Sequence, residues 1–255
     1  MTTEAYVDLH AKIYDEFWSF YPTRIARSLL RLPSTLIPDS EQSVLDVGCG
    51  TGIVAAHFLR AGYRVTGLDI SKAMLDRAQE RFKSVQDKVT LIHGDATDFT
   101  VPRRVPFAFS TYDIPNHLRN LDRVAAYLRS VYDAVEPGGL FAFDLTTARG
   151  LEAINRIWIK DEPSAMFLFR GAMNQEEGFG FFRISGVVRA EDGRYDRFES
   201  TIVNTAHPVA AVADLVAAAG WVDCVIGTPD HPLTPVDQPE DEERVLFVAR
   251  RPPVS

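Results

Sequence analysis

The chain has 255 residues, enough for one large hydrophobic core and an insertion, and its hydrophobic fraction of 46% is ordinary for a globular protein. Its formal net charge of −8 at pH 7 argues against a surface that neutralises nucleic-acid phosphates or binds acidic membranes. Because no apolar run is long enough to cross a bilayer and the acidic N-terminus does not resemble a signal peptide, we expect a cytoplasmic protein without membrane or nucleic-acid partners.

The first predicted element is an aromatic amphipathic helix near the N-terminus. Tyr6, Leu9 and Ile13 recur at helical spacing, and Tyr14 lies one step round the helix. These aromatic side chains either belong to the core or cover a ligand as a lid. A second helix is predicted from Thr23 to about Leu32, stopping at Pro33.

Between residues 43 and 145 the chain alternates short apolar strands with amphipathic helices. Predicted strands cover 43–47, 64–69, 88–93, 105–110 and 139–145, and predicted helices cover 51–61, 71–83 and 120–135. Ser71 is a predicted N-cap. This alternation implies parallel strands joined by right-handed crossovers, and therefore an α/β fold with a doubly wound sheet.

A glycine-rich turn follows the first of these strands. Residues 44–52 read Val-Leu-Asp-Val-Gly-Cys-Gly-Thr-Gly. Since glycine has no Cβ, such a turn lets backbone N–H groups approach a ligand closely. A dinucleotide fingerprint would place two residues before the third glycine, whereas the spacing here is Gly-x-Gly-x-Gly. A nicotinamide-dependent oxidoreductase is therefore disfavoured.

Four motifs in order resemble those of class I S-adenosylmethionine-dependent methyltransferases over about residues 40 to 147. They are the glycine turn with Asp46, Asp69 at the end of the second strand, Gly94-Asp95-Ala96 after the third strand, and the turn Glu136-Pro-Gly-Gly before the fifth. The resemblance implies a Rossmann-like sheet of seven strands, mostly parallel with the last strand antiparallel.

The same resemblance implies S-adenosyl-L-methionine as the cofactor and S-adenosyl-L-homocysteine as the product. It implies that Asp69 accepts both ribose hydroxyls, that Asp95 accepts the adenine amino group and that Ala96 packs on the ring. The other residues that it assigns to the cofactor are Asp46, Gly48, Cys49, Gly50, Gly52, Ile70, Met74, Ser110 and Tyr6.

From Glu162 to about Thr205 the pattern changes to aromatic and β-branched segments separated by turns such as Asp192-Gly193, which predicts antiparallel hairpins. This insertion resembles that of glycine and amino-sugar N-methyltransferases, where it roofs the substrate pocket and can pair subunits, so a homodimer is one predicted assembly. Helix 208–219 and strands 221–227 and 243–250 resume the main sheet. The predicted domains are a helical lid (1–40), the cofactor-binding core (41–150), the β insertion (151–206) and the end of the core sheet (207–255).

Polar side chains follow the fourth strand, at the carboxyl edge where open α/β sheets bind their ligands. Tyr112, Asp113 and Asn116 are predicted to contact the substrate. His117 is the predicted general base because imidazole titrates near neutrality, with a cap of the following helix as the alternative.

Four further candidates have two interpretations each. Tyr14 either takes part in the reaction or is core, and Asp144 either holds a cationic amine or caps the next helix. Trp158 either stacks on a substrate or fills the core of the roof, and Arg170 faces either the substrate or solvent.

The sequence therefore predicts methyl transfer to a small molecule, most simply at an amine nitrogen. An O- or C-methyltransferase of secondary metabolism stays open, as does a cofactor-binding protein that has lost transfer activity. The two cysteines have no ligand-spaced partners and the acidic residues form no metal cluster, so neither a disulfide nor a metal is expected.

Overall fold

The protein is described here from a computed structural model covering residues 14–15, 19–37, 40–174, 176, 178–190 and 192–254. The strands are β1 (Ser43–Val47), β2 (Arg64–Asp69), β3 (Val89–His93), β4 (Val105–Ser110), β5 (Val135–Thr146), β6 (Ile157–Glu162), β7 (Ala165–Asn174), β8 (Phe179–Arg189), β9 (Tyr195–Thr205), β10 (Val222–Gly227) and β11 (Arg244–Arg250). The helices are α1 (Phe20–Leu36), α2 (Ile53–Arg60), α3 (Lys72–Arg81), α4 (Ile114–His117), α5 (Leu121–Ala134), α6 (Ala148–Ala153) and α7 (Val209–Ala218).

The main sheet has seven strands in the order β10-β11-β5-β4-β1-β2-β3. Strands β1 to β5 pair in parallel, whereas β11 runs antiparallel to both β5 and β10. Every residue of β1 and β4 is buried, as expected for parallel strands covered on both faces by helices. The predicted Rossmann-like α/β fold is confirmed.

The hydrophobic core lies in two layers, one on each face of the main sheet. On one face α1 and α2 pack against the sheet, and the Phe58 and Phe109 rings stack with centroids 4.7 Å apart. On the other face, α5 and α7 pack over Phe143 and Phe247, whose rings also stack at 4.7 Å. These layers hold the carboxyl ends of the strands in a fixed arrangement, and that arrangement positions the site.

Helix α1 continues through Pro33 to Leu36, so the prediction that it stops at Pro33 is wrong. Proline removes one helical hydrogen bond, but Leu32 and Pro33 are both buried, and this packing offsets the loss. The N–H of Ile37 then donates to the Pro33 carbonyl at 2.9 Å and closes the final turn.

The insertion forms a second, antiparallel sheet in the order β6-β7-β8-β9. One face is apolar and buried, with Phe167, Phe169 and Ile184 at its centre, and this face turns toward the main sheet. The first strand, β6, lies outside the predicted hairpins, because its apolar residues are confined to Ile157-Trp-Ile and its second half is the charged segment Lys160-Asp-Glu. In the described part of the chain, no helix is both long and apolar enough to cross a membrane.

Candidate active site

A cavity at the carboxyl ends of β1 and β2 is lined by many of the predicted cofactor residues. We call it the glycine-loop cavity. Its lining includes Tyr14, Gly48, Gly50, Asp69, Ile70, Met74 and Ala96. An adjoining part is lined by Asp46 and Cys49. Residues that lie far apart in the sequence therefore meet at the edge where doubly wound sheets bind ligands.

The three positions of the turn require glycine for different structural reasons. All three have positive φ, at 78°, 55° and 80° for Gly48, Gly50 and Gly52. A Cβ on Gly48 would overlap Ile114, and one on Gly52 would overlap the Phe82 ring. A Cβ on Gly50 would meet no protein atom within 4 Å and would instead enter the cavity. Gly50 is thus the glycine that leaves room for a ligand, while the other two allow close packing.

The Asp69 carboxylate is held in the wall of this cavity by backbone donors. The Gly50 N–H donates to Oδ2 at 2.7 Å and the Ser71 N–H donates to Oδ1 at 2.8 Å. Burial raises the pKa of Asp69, and the two N–H groups oppose that shift. Each carboxylate oxygen keeps a lone pair for a further donor, which suits a pair of ribose hydroxyls.

Three other predicted cofactor residues, Asp95, Ser110 and Gly52, do not line the glycine-loop cavity. Both Asp95 oxygens bind protein groups, since Thr97 donates to Oδ1 and Arg123 to Oδ2 at 2.7 Å. The buried Ser110 hydroxyl donates to the Val47 carbonyl at 2.8 Å, and the adjacent residue, Thr111, lines the cavity instead. Gly52 serves packing, as described above. Tyr6 lies outside the described residues.

A second cavity, of about 350 Å³, lies between the main sheet and the insertion sheet. We call it the roof cavity. Its walls are largely aromatic, with Tyr21, Trp158 and Phe182 among them. Tyr14, Tyr112 and His117 line both cavities and therefore mark the place where they join.

A buried polar network forms the floor of the roof cavity. The Arg244 guanidinium donates to Asp144 Oδ2 at 2.9 Å and forms an ion pair with Asp113. The Tyr21 hydroxyl donates to Asp144 Oδ2 at 2.5 Å, and the Thr146 hydroxyl donates to Asp113. Burial raises the pKa of Asp113, but the charge and hydrogen bonds of Arg244 outweigh it, so that pKa is lowered.

The loop between the two cavities has a strained backbone. Tyr112 and Asp113 have φ values of 70° and 69°, in the left-handed region that side chains other than glycine rarely adopt. Their N–H groups donate to Asp144 at 3.1 Å and 2.9 Å. Asp144 therefore holds this loop, and with it Tyr112, at the junction of the cavities.

Asp144 lies beneath the roof cavity and does not line it. Its side chain is fully buried and its carboxylate already receives four protein donors, so it can act on an amine in the cavity only through its charge and not by direct contact. The N-cap of α6 is Thr147, whose hydroxyl accepts the Gly150 N–H.

Two of the predicted substrate contacts are also placed elsewhere. The amide of Asn116 is fully buried, donates to the Thr146 and Thr205 carbonyls and accepts the Thr146 N–H, so it ties β5 to β9. Arg170 alternates with Phe169 along β7 and therefore lies on the outer face of the insertion sheet, where it donates to Ser185.

His117 ends the short helix α4 and lines both cavities. Burial lowers its pKa, and the nearby Asp113 charge only partly opposes that effect. The imidazole is therefore neutral at pH 7 and can accept a proton. The capping role is taken by Asn120, whose side chain accepts the Arg123 N–H at 3.0 Å.

Trp158 combines its two predicted roles. Its ring stacks on Phe169 with centroids 4.9 Å apart and so belongs to the core of the insertion, yet it also lines the roof cavity. Three polar lining residues escaped the sequence analysis, namely Tyr21, Asn204 and Arg244. No motif marks them, because each reaches the cavity only through the tertiary arrangement of α1, β9 and β11.

The chain is similar to known methyltransferases in sequence and in fold. Residues 44–139 match the methyltransferase domain family. A ubiquinone/menaquinone biosynthesis C-methyltransferase of Desulfotalea psychrophila is 30% identical over 187 residues, covering 71% of this chain and 65% of that protein. A dTDP-3-amino-3,4,6-trideoxy-alpha-D-glucopyranose N,N-dimethyltransferase of Streptomyces venezuelae is 30% identical over 135 residues, covering 51% of this chain and 54% of that protein.

Among solved structures, a sugar N-methyltransferase from Streptoalloteichus superposes with a TM-score of 0.78 over 94% of this chain and 92% of that chain, at 19% identity. The protein is an S-adenosylmethionine-dependent methyltransferase with the class I fold. Within that class it is similar to methyltransferases of small molecules, amino-sugar N-methyltransferases among them.

The residues of the glycine-loop cavity fit S-adenosylmethionine. Asp46 is buried beside the glycine turn, and its Oδ2 atom has no hydrogen-bond partner among the described residues. A buried carboxylate oxygen without a partner is costly, and burial raises the pKa of Asp46, so a cationic ligand or a hydrogen-bond donor beside that oxygen is favoured. The amino acid end of S-adenosylmethionine carries an ammonium, and Asp69 would hold its ribose.

Proposed function

We propose that this methyltransferase acts on an amine nitrogen of a small metabolite or natural product. The observation that carries the proposal is the floor of the roof cavity, where two carboxylates, Asp113 and Asp144, surround one guanidinium, Arg244. With both carboxylates ionised the three groups carry one net negative charge; Arg244 favours the ionised form of each, while burial and the charge of Asp113 raise the pKa of Asp144. A cationic acceptor is attracted to such a floor, and the attraction is strong because the groups are largely withdrawn from water.

The walls of the roof cavity support the same acceptor. Tyr14, Tyr112 and Trp158 present aromatic rings to it, and ammonium groups bind favourably over such rings. Asn204 also lines the cavity, and its buried Oδ1 atom lacks a hydrogen-bond partner among the described residues. An N–H of the acceptor would satisfy that oxygen.

His117 supplies the proton acceptor in this proposal. An ammonium has no lone pair for attack, so it must lose a proton before the methyl group is transferred. His117 lies at the junction of the two cavities with a neutral imidazole, which suits it to take that proton. S-Adenosylmethionine supplies the methyl group on a sulfonium, and holding the nitrogen in line with it supplies much of the acceleration.

The second candidate is transfer to carbon or oxygen. The relative from Desulfotalea is a C-methyltransferase and covers more of this chain than the sugar N,N-dimethyltransferase does. An acidic carbon or a phenol would also need a base, so His117 serves that chemistry as well. The floor charge favours the amine, because a phenolate or enolate would be repelled by it.

The test is a set of matched acceptors that differ only at the nucleophile. An amino sugar nucleotide and its hydroxyl counterpart, with a phenol and an acidic carbon compound beside them, are incubated with enzyme and cofactor, and S-adenosylhomocysteine is quantified. We expect turnover of the amine. Turnover of the hydroxyl, phenol or carbon acceptor, without the amine, would contradict the proposal.

The variant Asn204→Ala tests whether the acceptor binds in the roof cavity, and Thr201→Ala is its control. Thr201 lies on the same strand but is exposed, on the outer face of the insertion sheet. We expect Asn204→Ala to raise KM for the acceptor about tenfold, since one hydrogen bond to a charged group is lost. The KM for the cofactor should not change, and Thr201→Ala should match the wild type.

A homodimer and a cytoplasmic location also remain predictions. The outer face of the insertion sheet exposes Ile157 at 70% and Ile159 at 65%, and neighbouring β7 exposes Met166 at 50%. A second copy packed there would bury this apolar surface. A comparison of the sedimentation of the wild type with that of Ile159→Lys tests whether the protein forms a dimer through this face. A monomeric wild type would contradict the predicted homodimer.

A further inference from the structure

A cluster of cations lies at the amino edge of the main sheet, opposite the edge that holds the two cavities. A groove of about 490 Å³ there is bordered by residues at the starts of β1 to β4. We call it the amino-edge groove. Its basic residues are Arg64, Lys88, Arg103 and Arg104.

The strand register places its polar groups side by side. Ser43 is opposite Arg64 in the β1–β2 pair. Arg64 and Lys88 each immediately precede the Val65–Val89 pair of β2 and β3. Neighbouring strands are about 4.8 Å apart, so one hydroxyl and two cationic side chains start from adjacent positions along the same edge.

The groove has an excess of positive charge in an acidic protein. Glu41 is the acidic residue of its lining and pairs with Arg103 at 3.3 Å, which leaves three basic residues without a carboxylate among the described lining. Arg64 and Arg104 each donate to one backbone carbonyl, of Asp87 and Asp133. These bonds orient the guanidinium groups but do not neutralise them, so like charges stay close together unless an anion binds.

A second observation comes from Ser43. Its side chain is only 8% exposed, and its hydroxyl oxygen has no hydrogen-bond partner among the described residues. Buried hydroxyls are almost always hydrogen-bonded, because an unmet donor costs free energy. A ligand seated in the groove would supply the acceptor.

We propose that the amino-edge groove binds a phosphorylated small molecule. Guanidinium and ammonium groups are the usual donors to phosphate oxygens. The groove volume is within the range of small-molecule sites and exceeds what a single phosphate ion fills. Since β1 spans five residues, the groove lies about 17 Å from the glycine turn, and its ligand is neither the cofactor nor the methyl acceptor.

Calorimetric titration with inorganic pyrophosphate tests the proposal on the full chain, with and without saturating S-adenosylhomocysteine. We expect binding that persists in the presence of S-adenosylhomocysteine and weakens with added salt. No binding at millimolar pyrophosphate would overturn the proposal. Binding abolished by S-adenosylhomocysteine would also overturn it, because pyrophosphate would then occupy the glycine-loop cavity.

Two lysines of the turn between α3 and β3 provide matched variants. Lys88 borders the groove, whereas Lys83 lies five residues earlier, is also exposed and pairs with Glu80. Lys88→Gln should weaken pyrophosphate binding about fivefold or more, as loss of a charge-assisted contact requires, while Lys83→Gln should leave it unchanged. Equal effects of the two variants would show a diffuse charge effect and overturn the site.

Titration with two phosphorylated compounds distinguishes between a nucleotide and a sugar phosphate as the ligand of the groove. Adenosine diphosphate and glucose 6-phosphate are titrated in parallel, and the tighter of the two identifies a nucleotide or a sugar phosphate as the class of ligand. Ser43→Ala removes the hydroxyl without adding volume, so it should fold normally and weaken both ligands. Unchanged affinity for both would remove Ser43 from the site.

Discussion

Arg244 and Asp144 lie 100 positions apart in the chain, yet the guanidinium of Arg244 donates to Asp144 Oδ2 at 2.9 Å. They are the first residue of β11 and a late residue of β5, in two strands that run antiparallel. The pair joins β11 to the loop that carries Tyr112 and leads into α4, which ends at His117. Both the stability and the activity of the enzyme should depend on it.

Arg244→Met should destabilise the protein strongly. Removing the guanidinium leaves Asp113 and Asp144 buried without a counter-charge, which typically costs about 3–5 kcal/mol. Urea unfolding measures the change. Arg183→Met is the control, since its ion pair with Glu199 is partly exposed and should contribute less than about 1 kcal/mol. Equal losses of unfolding free energy in the two variants would contradict the prediction that Arg244 stabilises the protein by neutralising buried carboxylates.

The pH dependence of stability should change in the same variant. In the wild type Arg244 lowers the pKa of Asp113, so the stability that Asp113 contributes is lost only as pH drops below the usual range of aspartate, because the unfolded chain takes up the proton first. Burial raises the pKa of Asp144 while Arg244 opposes that shift, and without Arg244 burial and mutual repulsion raise the pKa of both carboxylates further. Relative to the wild type, the variant should therefore gain unfolding free energy as pH falls from 7 to 5, and equal changes in the two proteins would contradict this.

Gly50→Ala and Gly52→Ala should separate binding from folding. Alanine at Gly50 has a left-handed backbone strain of about 1–2 kcal/mol but no clash, and its methyl group enters the glycine-loop cavity. We expect a folded protein whose affinity for S-adenosylmethionine falls at least about tenfold. Alanine at Gly52 has the same strain and overlaps Phe82, so its melting temperature should fall further. Full cofactor affinity in folded Gly50→Ala would contradict this assignment.

His117→Gln should lower kcat by about two orders of magnitude, as expected for loss of a general base. In the wild type the acid limb of kcat/KM should have its midpoint below pH 6.5, because burial lowers the pKa of His117. The limb should vanish in the variant. Two acceptors of different amine pKa provide the control, since a limb that moves with the acceptor would belong to the substrate and not to His117.

Asp69→Asn should weaken S-adenosylmethionine binding at least about tenfold, because the amide accepts only one of the two backbone N–H groups and presents its NH2 group where a ribose hydroxyl or the other N–H would donate. Circular dichroism establishes that the variant is folded. Asp76→Asn is the control, because Asp76 is exposed on α3 and pairs with Lys72. Calorimetry with S-adenosylmethionine, and separately with NAD, measures both. Unchanged affinity in Asp69→Asn would remove this carboxylate from the cofactor site.

Much of the cofactor side was predictable because its signals are local. The glycine turn, Asp69 and Ala96 each follow a short apolar strand, and strands that alternate with helices bring such residues to one edge of a parallel sheet. The residues on this side that do not line the cavity differ in side-chain direction. Ser110 turns inward to the Val47 carbonyl, and Asp95 is held by Arg123 from a helix that starts more than twenty residues later.

The substrate side was less predictable because its contacts are long-range. The sequence by itself determined the fold class, the cofactor and the presence of an antiparallel roof, since periodicity and glycine spacing are properties of short segments. Only the tertiary structure decided that Arg244 neutralises part of the charge of Asp113 and Asp144. It also decided that the Asn116 amide ties β5 to β9 and that Asn204 lines the roof cavity. Hydrogen bonds and burial between distant strands depend on packing geometry, which leaves no pattern in the local sequence.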